Sequence, residues 1–272
     1  MKNQMKIWQV DSFTTKIFGG NPAGVMILQK DIADDLKQKI AMEMNLSETA
    51  FVCLGGETPK IQWFTPNSEV NLCGHATLAA GHILWSEGFI QTDKINFTSR
   101  SGVLRVHKQA EGYTLDFPTQ PAVDKPDYTN LATEILGITP TYIGSNEEDF
   151  MAVVDDDQFL KSYQPNFDKM MQLPERRGFL LTAKDKSGEY DFIYRGFFPK
   201  LDVPEDPVTG SANTMLVPYW SKQLGKNKLR AYQSSKRGGE LLLEMIGDRV
   251  MITGNAVTVF EALLPALEEN NA

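Results

Sequence analysis

The feature that most constrains this chain is a helix-forming run with no polar face. From Gly74 the sequence continues His75, Ala76, Thr77, Leu78, Ala79, Ala80 and then Ile83, Leu84 and Trp85. A helix that is apolar all round belongs in an interior, so other elements are expected to wrap it. The run follows Phe64-Thr65-Pro66 and seven further residues, and the same order returns later as Phe198-Pro199, ten residues, and Gly210-Ser211-Ala212 ahead of Met215, Leu216, Val217 and Trp220. Two stretches sharing strand, loop, glycine turn and buried helix point to a duplicated unit.

Length agrees, because 272 residues exceed what one core of ordinary size accommodates. The expected division is 1–118 and 119–272, two α+β halves with a cleft between them, joined through the Pro-containing polar stretch from Pro118 to Asn130. In the first half, Ile7–Phe13 and Val25–Leu28 read as a hairpin around the turn-rich Phe18–Gly24. Ile32, Leu36 and Ile40 mark an amphipathic helix, with Asp31 as its expected N-cap and its end near Asn45. Strands are expected at 49–54, 60–65, 94–98, 102–108 and 113–117. The second half should hold a helix at 167–172 and strands at 178–182, 190–198, 229–233, 240–245 and 250–261.

The formal charge of −8 excludes the basic surface that a phosphate backbone requires, although Arg176-Arg177 and Lys236-Arg237 form two small clusters. Nucleic acid is therefore not an expected partner. No run of 18 apolar residues occurs and Met1–Lys6 leads straight into strand-like sequence, so neither a membrane partner nor a secretion signal is expected, and the expected address is cytoplasmic. Cys53 and Cys73 cannot build a disulfide framework, and with three scattered histidines they show no zinc-type spacing. The expectation is reduced thiols, no metal and no cofactor.

A helix opening at a glycine turn presents unpaired N–H groups and a positive dipole end, which favours carboxylates. Two such starts could hold a small anionic metabolite, and the carboxylates beside them, Glu48 and Asp206, are the candidate acid and base because their surroundings differ. His75 is open to three readings: general acid, donor to a substrate carboxylate, or a satisfied core histidine. His82, seven residues on, shares its face with no third ligand near in sequence, and His107 carries no assigned role. Cys73 invites a two-thiol racemase reading, but no second thiol stands near Asp206–Gly210. The Gly19–Gly24 loop lacks the Lys-Ser/Thr ending of a phosphate cradle, and it is read as a tight turn with Asn21 facing ligand.

Four stretches taken together resemble the PhzF-like phenazine-biosynthesis family: Asp11-Ser12-Phe13 through Phe18 and Gly20-Asn21-Pro22-Ala23; Asn45 to Val52; Phe64-Thr65-Pro66 through Glu69 and Cys73 to Ala79; and Glu205 to Ala212. Gln233 to Arg237 is similar to the family's late glycine–arginine segment, with Ser234 where glycine is usual. The resemblance implies a diaminopimelate-epimerase-like fold, α+β, in which two pseudo-symmetric halves each curl a mostly antiparallel sheet around one central helix. It implies Glu48 as the proton-transferring residue, with His75 and Asp206 as its partners. Asn21, read above as ligand-facing, joins Ser47, Gly74, Gly210 and Ser211 as substrate-binding positions. It also implies a cofactor-independent isomerase acting on a small anionic, dihydro-hydroxyanthranilate-like substrate, and a homodimer. An amino-acid racemase or epimerase, and a non-catalytic binding protein that kept the cleft, stay open beside it.

Overall fold

The computed structural model describes residues 5–174 and 177–265, so Arg176 of the first basic cluster and the residues before Met5 lie outside it. The chain forms two compact units, one from the residues up to Asp116 together with those from Thr253 onward, the other from Phe117–Ile252.

The first unit opens with β1 (Met5–Ser12) and β2 (Asn21–Leu28), an antiparallel hairpin. Helix α1 (Asp34–Met44) carries the chain over to β3 (Glu48–Cys53), parallel to β2, and β4 (Lys60–Phe64) turns back antiparallel. The short β5 (Glu69–Val70) pairs with β4, then α2 (Gly74–Ser86) crosses to β6 (Lys94–Ser99), parallel to β4. The meander closes with β7 (Gly102–Gln109) and β8 (Gly112–Pro118).

Helix α2 is buried on every side, as its composition requires, with Ala76, Leu78, Ala79, Ala80, Ile83 and Leu84 removed from solvent. Each Leu or Ile so buried contributes about 1.5–3 kcal/mol. Small residues set how closely the sheet approaches, since a Cβ on Gly81 would stand 3.1 Å from Trp85 and 3.3 Å from Val106. Helix α1 covers the other side, packing Ile40 and Ala41 on Ile7, Met26, Leu28, Phe51 and Phe64. Its N-cap is Ala33 and not Asp31. The carboxylate of Asp31 instead meets Lys37 at 2.7 Å and Lys60 at 3.0 Å. Lys37 is buried, and a buried ammonium must be paired, so Asp31, Asp34 and Gln62 gather around it.

The second unit contains β9 (Val123–Asp124), α3 (Thr129–Leu136), β10 (Tyr142–Ser145), β11 (Asp149–Val153), α4 (Asp157–Ser162), α5 (Phe167–Met170), β12 (Gly178–Lys184), β13 (Phe192–Phe198), β14 (Val203–Asp206), α6 (Asn213–Leu224), β15 (Lys228–Gln233) and β16 (Gly239–Ile246). Its pairings repeat the first unit step by step. β10 and β11 are antiparallel, α4 and α5 lead to β12 parallel to β11, and β13 returns antiparallel. β14 folds onto β13, and α6 crosses to β15, which is parallel to β13 and antiparallel to β16. The two central helices, α2 and α6, therefore occupy the same place in one repeated connection.

Two expectations about the chain path change. The stretch from Pro118 to Asn130 is not a plain connection, since it holds β9 and the first residues of α3. The single strand expected over 250–261 is two, β17 (Arg249–Gly254) and β18 (Ala256–Leu264), parted at Asn255, whose carbonyl accepts from Phe13 N at 2.6 Å. β18 lies antiparallel along β1 from Met5↔Leu264 to Ser12↔Ala256, with a bulge at Gln9/Val10. The first unit is thus built from both ends of the described chain, where a division at residue 118 would make each half contiguous. Among the described residues no helix is long and apolar enough to cross a membrane.

Candidate active site

In the first unit, the end of β1, the starts of β2 and β3 and the N-terminus of α2 converge. Ser12, the last residue of β1, donates to the His75 carbonyl at 2.8 Å and so fastens the first turn of the helix to the sheet. Asn21 begins β2 directly after Gly20, which holds φ +59° and passes so close to the Ser12 carbonyl that no side chain fits there. The loop before it is tied down by Phe18 N, which donates to the buried Asp11 carboxylate at 2.7 Å. Glu48 is the first residue of β3, half-buried, and its Oε2 lies 3.4 Å from His75 Nε2.

The same ring nitrogen stands 3.4 Å from Ser47 Oγ, and that hydroxyl reaches Asn21 Oδ1 at 3.4 Å and the Pro22 carbonyl at 3.5 Å. On the far side of the imidazole, Nδ1 stands 3.4 Å from Cys73 Sγ. Cys73 is the N-cap of α2 in extended conformation, and its carbonyl is held by Thr77 N at 3.1 Å and Thr77 Oγ1 at 2.5 Å. Of the first-unit residues expected from sequence, Asn21, Ser47, Glu48 and His75 are thereby linked, and Gly74 opens the helix beside them. The arrangement places a half-buried carboxylate, a histidine and the positive end of a 13-residue helix together, which suits moving a proton at a carbon next to an anionic group.

Glu48, Cys73 and His75 each offer a ligand atom within 4.8 Å of one another, three of the four that zinc takes. The thiol stands beside Nδ1 and the carboxylate beside Nε2, each at 3.4 Å, so the imidazole lies between them in a row of close polar contacts.

The second unit gathers a different set. Asp206 ends β14 and accepts from Thr209 Oγ1 at 2.5 Å, while Gln233 closes a ring by donating to the Asp206 carbonyl at 2.6 Å and accepting from Thr209 N at 2.6 Å. Gly210, Ser211 and Ala212 form the turn before α6, which begins at Asn213 and not at Gly210. Asn213 Nδ2 ties the turn together through the Tyr194 hydroxyl at 3.0 Å and the carbonyls of Thr209 and Gly210. Burial pushes the Tyr194 hydroxyl far above its ordinary range, so it stays a neutral donor and acceptor.

Arg177 was not among the residues singled out from sequence as functional. It stands directly before β12, bonds Asp149 through Nε and Nη2 at 3.0 Å each, and donates from Nη2 to Ser211 Oγ at 3.1 Å. Its only sequence signal was membership of a basic pair, read there as surface charge. The remaining histidine of α2, His82, turns away to Tyr113 and Thr258 at 3.0 Å each, and burial lowers it to about 4.

Residues 10–262 match the model of the PhzC-PhzF family, described as phenazine biosynthesis-like protein. An uncharacterized isomerase of Halalkalibacterium halodurans is 47% identical over 259 residues, covering 95% of this chain and 97% of that one. A crystal structure of a PhzF-family phenazine biosynthesis protein from Enterococcus faecalis superposes with a TM-score of 0.89 at 38% identity, covering 96% and 99% of the two chains. A Pseudomonas aeruginosa protein described as a predicted epimerase shares the fold alone, with a TM-score of 0.71 at 17% identity over 96% of this chain and 99% of that one. The fold is the diaminopimelate-epimerase-like one that the sequence resemblance implied.

Proposed function

The chain belongs to the phenazine biosynthesis-like family, and from that premise we propose that it is an isomerase that moves a proton between carbons of a small anionic substrate, with Glu48 as the proton carrier. The observation that carries this reading is the Glu48 carboxylate, half-buried at the start of β3 and 3.4 Å from His75 Nε2 beside the N-terminus of α2. A carboxylate suits the task because one group can remove a proton and return the same proton elsewhere, with no cofactor required. His75 holds that carboxylate, and Asn21, Ser47 and Gly74 bind the substrate's polar groups around it. Contacts of 3.4 Å are long for hydrogen bonds and are of the kind that tighten when substrate is bound.

The reading assigns Asp206, Gly210 and Ser211, in the second unit, to substrate binding and orientation. Ser211 Oγ accepts from Arg177, which leaves the hydroxyl hydrogen available to a substrate oxygen. A two-thiol racemase does not fit, because both cysteines of the sequence, Cys53 and Cys73, belong to the first unit. The name isomerase borne by the Halalkalibacterium halodurans relative agrees with the proposal, and a homodimer belongs to the same reading.

The test is incubation of wild type and Glu48→Gln in deuterium oxide with a panel of small anionic substrates, including a dihydro-hydroxyanthranilate, followed by NMR. Deuterium should enter one substrate with wild type alone. Equal labelling by both proteins would remove Glu48 from the role, and binding without labelling by either would make the chain a binding protein.

A further inference from the structure

The two ring nitrogens of His75 are not equivalent, and the groups around them decide which one carries hydrogen. Nε2 faces Glu48 Oε2 and Ser47 Oγ, each at 3.4 Å. An ionised carboxylate only accepts. The single hydroxyl hydrogen of Ser47 has two other acceptors, Asn21 Oδ1 at 3.4 Å and the Pro22 carbonyl at 3.5 Å, so toward the imidazole Ser47 is able to accept. The carboxylate therefore calls for an N–H at Nε2, and the hydroxyl accommodates it. In neutral histidine, Nδ1 is then a bare acceptor, and the group beside it, 3.4 Å away, is the thiol of Cys73.

We propose that Cys73 is a positioning residue that donates its S–H to His75 Nδ1 and thereby holds the imidazole in the Nε2–H tautomer. Cys73 is suited to this: it is buried, it is the N-cap of α2, and its backbone is pinned by Thr77 on one side of the ring. In this tautomer Nε2 has no lone pair, so His75 can hold the Glu48 carboxylate by donation but cannot take a proton from Glu48 at that atom. Its only other basic site, Nδ1, is occupied by the thiol. A proton lifted from substrate onto Glu48 therefore stays on Glu48 until it is returned. This consequence for turnover rests on the isomerase reading above, whereas the tautomer itself does not.

The experiment is a long-range proton–nitrogen correlation spectrum of nitrogen-15-labelled protein without substrate, recorded where His75 is neutral, with its signals identified by their loss in His75→Gln. Wild type and Cys73→Ser should show His75 as one tautomer, with hydrogen on Nε2. Cys73→Ala should shift it toward a mixture. Hydrogen on Nδ1 in wild type, or an unchanged single tautomer in Cys73→Ala, would overturn the proposal. Because no substrate is present, either result stands whether or not the isomerase reading does. Where a substrate has been found by deuterium exchange, Cys73→Ala should lower kcat about tenfold with KM unchanged, and Cys73→Ser should recover most of it. A loss appearing in KM alone would count against a role through His75.

Discussion

The two units follow the same strand order and insert the same central helix, yet they arm it differently. At the start of β3 the first unit places Glu48 beside His75, and just ahead of β12 the second places Arg177 beside Ser211. The spacing of the contacts differs as well. Around His75 the side-chain separations are 3.4–3.5 Å, whereas Asp206, Thr209 and Gln233 are locked at 2.5–2.6 Å. One fold thus carries a loosely spaced polar cluster in one unit and a tightly bonded one in the other. The strand pairings repeat, while the side chains at the strand starts and the first turn of the central helix differ.

The sharpest way to break this comparison is Glu48→Gln. On the proposed mechanism this substitution should lower turnover about 10²–10⁴-fold while urea unfolding moves by less than about 0.5 kcal/mol. A large loss of stability would mean that the carboxylate is structural. Next in size is a pH effect confined to the first unit, which contains all three histidines. His82 is held down at about 4, below the 6.5 of an unfolded histidine, so the unfolded chain takes up a proton first as pH falls. The stabilisation is complete above 6.5 and is lost between 6.5 and about 4, amounting to roughly 3–4 kcal/mol over the whole window. Urea midpoints at pH 7.5 and 4.5 should therefore differ more for wild type than for His82→Gln, and parallel behaviour would show that His82 is not the cause.

Gln233→Ala should destabilise by about 1–3 kcal/mol, because it leaves Thr209 N and the Asp206 carbonyl without their buried partner. The smallest effect belongs to the loosely held side. Ser47→Ala, removing only contacts of 3.4–3.5 Å, should change stability by no more than about 0.5 kcal/mol. If chemical denaturation ranks these two the other way, the contrast between loose and locked sites is lost.

Much of this was legible before any coordinates. Ala76 to Leu84 could only be interior, and the repeat of a glycine turn before an apolar helix marked both central helices. The four motif stretches brought Asn21, Ser47, Glu48, Gly74 and His75 to one place because each sits at the end of an element. β10 and β11 escaped notice since β11 is buried on both faces and shows no alternation. α6 carries Pro218 inside it and starts three residues after Gly210, a boundary that the run of apolar residues alone does not mark. Asp31 looked like a cap because nothing in the local sequence reveals that Lys37 is buried and needs it. Arg177 was missed for a similar reason: its partners Asp149 and Ser211 are 28 and 34 residues away and meet it only through the sheet.

The return of β18 to β1 also governs the order in which the molecule can be completed. A ribosome emits the second unit whole, between the two segments of the first, so β10 through β16 can pair as soon as they emerge. β1 must wait for Ala256–Leu264, its antiparallel neighbour, before that edge is covered. During synthesis the half that carries Glu48 and His75 therefore holds an open strand edge for longest, which makes it the part of the nascent chain most in need of protection from aggregation.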